Sequence, residues 1–197
     1  DYHFEDTEIE AIEAHKRVIL VTTHRRKNLG DPMHHVYRAL RRLVEAVPDT
    51  EVVFPVHRNP LVREAVSEEL EGVPGIHLVE PMEYEPFTNL MARSAIVLTD
   101  SGGIQEEAPS LGKPVLVLRD TTERPEAVEA GTVRLVGTDE EKVFETAYKL
   151  LTDEKEYKSM AEAVNPYGDG RSAERIVDAL LWIEGISDKK PTKFIAK

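Results

Sequence analysis

The sequence VILVTTHRRKN at residues 18–28 and the sequence AIVLTDSGGIQEE at residues 95–107 decide the fold. Each begins with an apolar, β-branched run and continues into a polar segment, one of them basic and the other containing two glycines. Short runs of this kind, bounded by turn residues, predict strands that are buried on both faces. Six such runs occur along the chain, at residues 18–23, 51–56, 76–79, 95–99, 114–118 and 132–136.

The segments between these runs are long enough for helices. The clearest is residues 32–47, where Val36 and Leu40 fall on one helical face. We expect Asp31 to cap this helix and Pro32 to begin it. Because strand and helix alternate strictly, the strands should pair in parallel with right-handed crossovers. The sequence therefore predicts an α/β fold with a Rossmann-like, doubly wound parallel sheet of about six strands.

The domain organisation is simple, because no break in composition interrupts the central part of the chain. We expect an acidic helical lead-in at residues 1–16, one Rossmann-like domain at 17–185 and a flexible tail at 186–197. The chain begins with Asp1 rather than Met, which suggests a fragment of a longer protein. Three more helices are predicted after the sixth strand, at residues 139–152, 153–164 and 171–185.

Composition excludes several functional classes. The absence of cysteine among the 197 residues removes thiolate catalysis, Cys-ligated zinc and iron–sulfur clusters. A net charge of −12 opposes extensive binding to nucleic acid or to an anionic membrane. No apolar stretch approaches the roughly 20 residues that span a bilayer, so we expect a cytoplasmic protein. Any anionic ligand must therefore bind at a local basic site.

The predicted sheet has a natural place for such a site. In a sheet of strand order 3-2-1-4-5-6, ligands bind in the crevice between the carboxyl ends of the first and fourth strands. There the basic residues of 22–28 would face the glycine segment of 99–107. The Ser101 hydroxyl and the backbone amides of Gly102 and Gly103 could then bind phosphate oxygens at the start of a helix. The alternative is a tight strand-to-helix turn capped by Ser101.

The ionisable residues of these two segments each have a structural and a functional interpretation. His24 could transfer a proton near neutral pH, and Arg25 could bind phosphate, but a solvated basic turn would have the same composition. Glu106 and Glu107 could accept hydrogen bonds from sugar or ribose hydroxyls. They could equally complement the dipole of the helix that follows Gly103.

Other segments at the same edge of the sheet add candidates. Arg119 and Arg124 follow the fifth strand and would be available to an anion, whereas the alternative is a polar loop. His57 and Arg58 follow the second strand. Phe87 is a candidate for contact with a nucleobase, although an aromatic residue there is more often part of the core. No pair of histidines and carboxylates has a convincing metal spacing, so neither a metal nor another cofactor is expected.

Several long motifs, in the same order, resemble those of the bacterial non-hydrolysing UDP-N-acetylglucosamine 2-epimerases. The resemblance covers nearly the whole chain but only the carboxyl-terminal half of that enzyme. It implies one half of a two-domain fold like that of B-type glycosyltransferases, with the amino-terminal half and its catalytic carboxylates missing. The motifs that carry it are THRR at 23–26, PVHRNP at 55–60, LTDSGGIQEEAP at 98–109, VLRDTTERPE at 117–126 and NPYGDG at 165–170.

The resemblance implies interconversion of UDP-GlcNAc and UDP-ManNAc in cell-envelope polysaccharide biosynthesis. UDP is eliminated to leave a 2-acetamidoglucal and is then added back, after a proton has returned to the opposite face of the second sugar carbon. The implied partners are UDP-GlcNAc or UDP, the missing amino-terminal half, and a second copy in a homodimer. Because that half supplies the base, these residues alone should bind UDP weakly and turn over negligibly.

The resemblance also implies roles for individual residues. His24 matches the catalytic histidine, which assists at the departing diphosphate. The diphosphate cradle matches Ser101, Gly102 and Gly103. Arg124 matches an additional contact near the phosphates or the sugar.

Four further positions match the family, and one departs from it. Glu107 matches the partner of the ribose hydroxyls, and Phe87 matches the residue beside the uracil. Arg25 and His57 match positions that touch a second, regulatory substrate molecule in some members. Lys27 stands where members usually have glutamate, which weakens the inference for the regulatory contact.

Three alternatives remain at this point. One is a hydrolysing relative that releases UDP and free N-acetylmannosamine. Another is a B-type glycosyltransferase. The third is a non-catalytic module that binds a nucleotide sugar. Free sugar as the product, or transfer to an acceptor, would separate the first two from an epimerase.

Overall fold

The structure, a computed structural model, describes residues 2–194. Its strands are β1 (Arg17–Thr22), β2 (Thr50–Pro55), β3 (Ile76–Val79), β4 (Ile96–Thr99), β5 (Val115–Val117) and β6 (Val133–Leu135). They form one parallel sheet in the order β3-β2-β1-β4-β5-β6. The predicted Rossmann-like sheet is therefore confirmed, and each strand boundary lies within one residue of its predicted position.

Helices connect and follow the strands. They are α1 (Thr7–Ala11), α2 (Asp31–Ala46), α3 (Pro60–Leu70), α4 (Tyr84–Arg93), α5 (Ile104–Ser110), α6 (Pro125–Ala130), α7 (Glu140–Thr152), α8 (Glu154–Ala161) and α9 (Ser172–Ile183), with a 3-10 turn at Arg26–Asn28. Among the residues from 2 to 194, no helix is both long and apolar enough to cross a membrane.

The two faces of the sheet bury separate cores. Successive side chains of a strand point to opposite faces, so Ile19 and Val21 pack with α2, α3 and α7, whereas Val18 and Leu20 pack with α4, α5 and α6. All four of these side chains are at most 1% exposed. Burial on both faces explains why the strands are continuous apolar runs rather than alternating ones.

The start of α2 differs from the prediction. Asp31 is the first helical residue and not the cap, which is Gly30 at a φ of 85° with no side-chain hydrogen bond. Pro32 still lies in the first turn, where its missing N–H costs nothing. A glycine suits the left-handed conformation of the cap, and Asp31 complements the helix dipole from inside the first turn.

The lead-in is less helical than its composition suggests, because only α1 forms within residues 5–15. Asp6 caps α1 by accepting hydrogen bonds from the Glu8 and Ile9 amides at 3.0 and 3.2 Å. Ile9 is fully buried in the core under α4, and Arg93 donates to the Ile9 carbonyl at 2.9 Å. The lead-in is thus packed onto the domain.

The three helices predicted after the sixth strand are present. Each starts one residue later than predicted, and α8 and α9 also end two or three residues earlier. α8 ends at Ala161, before an Asn165-Pro166 turn that disfavours helix. α9 buries none of its residues. The tail predicted at 186–197 has no regular secondary structure over residues 186–194, and its last three residues lie outside the described ones.

Candidate functional site

The carboxyl ends of β1 and β4 lie side by side, so the basic loop and the glycine segment start at neighbouring points. Thr22 pairs with Thr99 in the register, and their hydroxyl oxygens are 2.6 Å apart. The Asp100 amide donates to the Thr22 carbonyl at 3.2 Å. The sheet order alone therefore brings the loop after Thr22 next to the start of α5.

Asp100 holds these two segments together. Its side chain is fully buried. Oδ2 accepts hydrogen bonds from the His24 amide at 3.0 Å, the Arg25 amide at 2.9 Å and Asn28 Nδ2 at 3.2 Å. Asn28 Nδ2 also donates to the Leu118 carbonyl at 3.1 Å. One carboxylate thus fixes the backbone of the basic loop against β4, with β5 reached through Asn28.

His24 lies at the surface of this junction. Its side chain is 44% exposed, and Nδ1 lies 3.3 Å from Asp100 Oδ1. The ring stacks on His57 from the loop after β2, with centroids 5.5 Å apart and planes at 20°. Arg25 Nη1 lies 3.5 Å from a carboxylate oxygen of Glu123 in the loop after β5. The loops after β1, β2 and β5 therefore meet around His24.

The glycine segment precedes α5 without capping it by a side chain. The N-cap is Gly103 rather than Ser101, so the alternative interpretation of Ser101 as the cap is wrong. The Ser101 amide donates to Thr99 Oγ1 at 3.0 Å. A Cβ built on Gly102 meets nothing within 4 Å, and one on Gly103 would lie 3.5 Å from Glu107 Oε1. Open space therefore adjoins the backbone in front of α5.

Gln105 joins this segment to the loop after β5, a connection that sequence reasoning missed. It is fully buried, and its amide nitrogen donates to the Ser101 carbonyl at 2.9 Å. Its amide oxygen accepts from the Thr122 hydroxyl at 2.5 Å, and that hydroxyl accepts from the Arg124 amide at 3.0 Å. A chain of three hydrogen bonds thus connects the Ser101 backbone to that of Arg124.

The arginines of the β5 loop are already paired with carboxylates, which corrects the expectation that both are freely available to an anion. Arg119 binds both oxygens of Glu123 at 2.7 Å. This pairing lowers the pKa of Glu123 to about 2, so the carboxylate stays ionised. Arg124 forms an ion pair with Glu106, and its Nη1 donates to the Glu123 carbonyl at 3.2 Å. Glu106 thus orients Arg124.

The remaining predicted residues lie on the helices around the same edge. Glu107 is half-buried in the first turns of α5. Phe87, on α4, is half-buried and packs against the core together with Tyr167. Burial raises the pKa of Tyr167 to about 12, so its phenol stays protonated. Across the part of the chain that the structure describes, no cluster of three or more His, Asp or Glu side chains could hold a metal ion.

Sequence reasoning also missed Asp100 as a site residue. An ionisable side chain directly after a fully apolar strand, at the crevice of the sheet, was a usable signal, because burying it requires hydrogen-bond donors. Gln105 and Thr122 gave no comparable signal, since their contact joins residues 17 positions apart in the chain.

Comparison with known proteins identifies a family to which the chain is similar. A family model described as UDP-N-acetylglucosamine 2-epimerase matches residues 2–181. The UDP-N-acetylglucosamine 2-epimerase of Bacillus subtilis is 55% identical over 181 residues, covering 92% of this chain and 48% of the relative.

Two solved structures with ligands are also similar. The S. aureus protein MnaA, solved with UDP, has a TM-score of 0.90 at 45% identity. The alignment covers 98% of this chain and 52% of the S. aureus chain. The UDP-GlcNAc 2-epimerase of Neisseria meningitidis, solved bound to UDP-GlcNAc, has a TM-score of 0.84 at 48% identity. The alignment covers 89% of this chain and 47% of the Neisseria chain.

More distant likeness concerns the fold alone. The glycosyltransferase WaaG, involved in lipopolysaccharide biosynthesis, has a TM-score of 0.62 at 20% identity.

The chain spans about half the length of the curated relatives it matches. The family match over residues 2–181 and the identity to the Bacillus subtilis relative show that this chain belongs to the UDP-N-acetylglucosamine 2-epimerase family.

Proposed function

We propose that this chain is the carboxyl-terminal, nucleotide-binding half of an enzyme that interconverts UDP-GlcNAc and UDP-ManNAc. The observation that carries the proposal is the junction of β1 and β4, where the buried Asp100 holds the loop of His24 beside the glycine segment before α5. Ligands of doubly wound sheets bind at such a junction. Membership in the epimerase family supports the same reaction.

In the proposed reaction, the bond between the anomeric sugar carbon and the diphosphate breaks as the proton leaves the second sugar carbon. UDP and a 2-acetamidoglucal result, and the reverse addition with protonation on the opposite face gives the epimer. His24 is the proposed catalytic residue, acting at the departing diphosphate. A histidine that is half exposed at the mouth of the crevice can exchange a proton with the ligand.

The remaining roles follow the positions of the side chains. We assign the diphosphate cradle to Ser101, Gly102 and Gly103, because open space adjoins this backbone. Arg124 is the proposed additional contact to the phosphates or the sugar, with its guanidinium oriented by Glu106. The contacts with Glu106 and with the Glu123 carbonyl use Nε and Nη1, which leaves Nη2 of Arg124 as a donor for the ligand.

Four other assignments complete the proposed site. Glu107 is proposed to accept hydrogen bonds from the ribose hydroxyls, and Phe87 to lie beside the uracil. Arg25 and His57 are proposed to bind a second, regulatory substrate molecule. The stacking of His57 on His24 supports a connection between that contact and the catalytic histidine.

The working enzyme is proposed to contain a second half, which supplies the base for the second sugar carbon, and to form a homodimer. α9 supports the need for a partner, because its apolar side chains lie exposed, and large exposed apolar patches mark interaction surfaces. The side chains of α9 that are between 36% and 68% exposed are Ile176, Val177, Leu180, Leu181, Trp182 and Ile183. Ile186, just after the helix, is 73% exposed. The half-length coverage of the relatives fits the same proposal.

A chimeric enzyme tests the function. In it, this chain replaces the matching part of the Bacillus subtilis relative. We expect the chimera to convert UDP-GlcNAc to UDP-ManNAc, and the 197-residue chain alone to turn over negligibly. Epimerisation by the chain alone would contradict this division of labour. Free N-acetylmannosamine as the product would indicate a hydrolysing enzyme, transfer to an acceptor would indicate a glycosyltransferase, and UDP binding without turnover would indicate a binding module.

Removing the Ser101 hydroxyl tests the cradle. We expect Ser101→Ala to weaken UDP binding to the chain by about 1–2 kcal/mol, or roughly 5- to 30-fold in Kd, because a hydrogen bond to a charged oxygen is lost. Calorimetric titration with UDP measures the effect. Ser159→Ala on α8, which removes an exposed serine hydroxyl outside the site, is the control and should leave Kd unchanged. Equal affinity of Ser101→Ala and the parent chain would remove Ser101 from the cradle.

A further inference from the structure

Asp100 is a buried ionisable group that contacts His24 in two different ways. Its Oδ2 accepts hydrogen bonds from the His24 and Arg25 amides. Its Oδ1 also accepts from the His24 amide, at 3.2 Å, and lies 3.3 Å from the ring nitrogen Nδ1 of His24. The carboxylate is fully buried, so it cannot itself meet a ligand in the crevice. Its contacts can act on the reaction only through the residues that it holds.

We propose that Asp100 is a positioning residue that keeps the proton of the neutral His24 ring on Nδ1, so that Nε2 is the nitrogen presented to the ligand. The catalytic consequence of this inference rests on the proposed function. The position of the proton is a property of this chain and can be measured without any turnover.

The electrostatics at Nδ1 support this assignment. An unprotonated Nδ1 would direct its lone pair at a carboxylate oxygen only 3.3 Å away, where the two regions of negative charge repel. A proton on Nδ1 is attracted to the same oxygen. Because the carboxylate is fully buried, little water screens it from the ring nitrogen. The carboxylate therefore selects the tautomer, as carboxylate partners of histidine do elsewhere.

His57 provides an internal comparison on the stacked ring. Its Nδ1 accepts a hydrogen bond from the Asn59 amide at 3.1 Å. That nitrogen must therefore carry the lone pair, and the neutral His57 ring carries its proton on Nε2. Two rings with centroids 5.5 Å apart are thus expected to hold opposite tautomers, each fixed by its own partner at Nδ1.

The substitution Asp100→Asn separates the two functions of the carboxylate. The amide oxygen of asparagine can take the place of Oδ2 and accept from the His24 amide, the Arg25 amide and Asn28 Nδ2. The amide NH₂ group then takes the place of Oδ1 and donates toward His24 Nδ1. The loop keeps the acceptor at the Oδ2 position and loses only the longer, 3.2 Å contact of the His24 amide with Oδ1, but the preferred tautomer of His24 reverses.

Nitrogen-15 NMR of the imidazole rings in the full chain, at a pH where they are neutral, tests the proposal. The His24 signals are those missing from His24→Gln. We expect the parent chain to carry the His24 proton on Nδ1 and the His57 proton on Nε2. In Asp100→Asn, the His24 proton should move to Nε2 while His57 stays unchanged.

The control is Asp120→Asn, which removes an exposed carboxylate from the loop after β5. It should leave the His24 tautomer as in the parent chain. A parent chain with the His24 proton on Nε2 would overturn the proposal, and so would an Asp100→Asn chain with the proton still on Nδ1. Because the parent chain alone decides the first point, the test holds even if Asp100→Asn does not fold.

Kinetics of the chimera test the consequence. Asp100→Asn should lower kcat by about 10- to 100-fold, by analogy with metal-binding histidines that lose the carboxylate orienting them, with KM changing much less. A reversed tautomer with an unchanged kcat would overturn the positioning role. Absence of turnover in the parent chimera would contradict the proposed function instead, and the NMR result on the chain would still support the tautomer assignment.

Discussion

The substitution His24→Asn should lower kcat of the chimera by about 100- to 10,000-fold, the range that a positioned proton donor or acceptor contributes. KM should change by only a few-fold, because asparagine keeps a polar group in the crevice and the cradle before α5 is untouched. Steady-state kinetics with UDP-GlcNAc measures both. A loss confined to kcat indicates an interaction made mainly in the transition state.

The matched control for this prediction is His15→Asn. His15 lies in the exposed turn before β1, where its ring is 3.3 Å from a carboxylate oxygen of Glu13, so the same chemical change should leave both constants as in the parent. If His24→Asn raises KM and leaves kcat near the parent value, His24 binds the ligand without taking part in the chemistry.

Replacing Phe54 should have the largest effect on stability. Phe54→Ala is expected to lower the free energy of unfolding by about 3–5 kcal/mol, because it empties a fully buried position. The ring lies on β2, with its centroid 5.6 Å from that of Tyr37 on α2. The loss therefore includes this aromatic contact between the sheet and a helix. For a chain of this length, the change corresponds to a fall in Tm of roughly 6–20 °C.

Denaturant unfolding of the full chain measures this effect from the shift in midpoint at constant slope. The control is Leu61→Ala on α3, where the side chain is 54% exposed and the expected change is below about 0.5 kcal/mol. A similar loss in both variants would mean that burial does not determine the contribution of these positions.

The fold was readable because the information that specifies it is local. Strands buried on both faces are apolar at successive positions. The centre of β1 and most of β4 therefore stand out in the sequence as continuous apolar runs. Alternation with helices then requires parallel pairing. Both ends of α2 lie within one residue of the predicted 32–47, but the predicted cap was wrong, because two adjacent residues, Gly30 and Asp31, could each serve as the cap.

The site was readable only in part. The rule for doubly wound sheets is enough to place His24 near Gly102, since both follow neighbouring strands. The pairing of Arg119 with Glu123, and of Arg124 with Glu106, depends on side-chain directions in a loop that has no repeating pattern. The number of charges in the loop does not show how they pair, so the sequence predicts both arginines to be available to an anion.

By itself, the sequence determined the six strands, their parallel order and the edge of the sheet at which chemistry is placed. These follow from hydrophobic burial and chain connectivity, which act over neighbouring residues and leave a periodic record. Only the tertiary structure decided that Asp100 accepts hydrogen bonds from the loop of His24 and that Gln105 connects Ser101 to the loop of Arg124. Such contacts join residues far apart in the chain, and they depend on the direction and length of single hydrogen bonds, which no local pattern records.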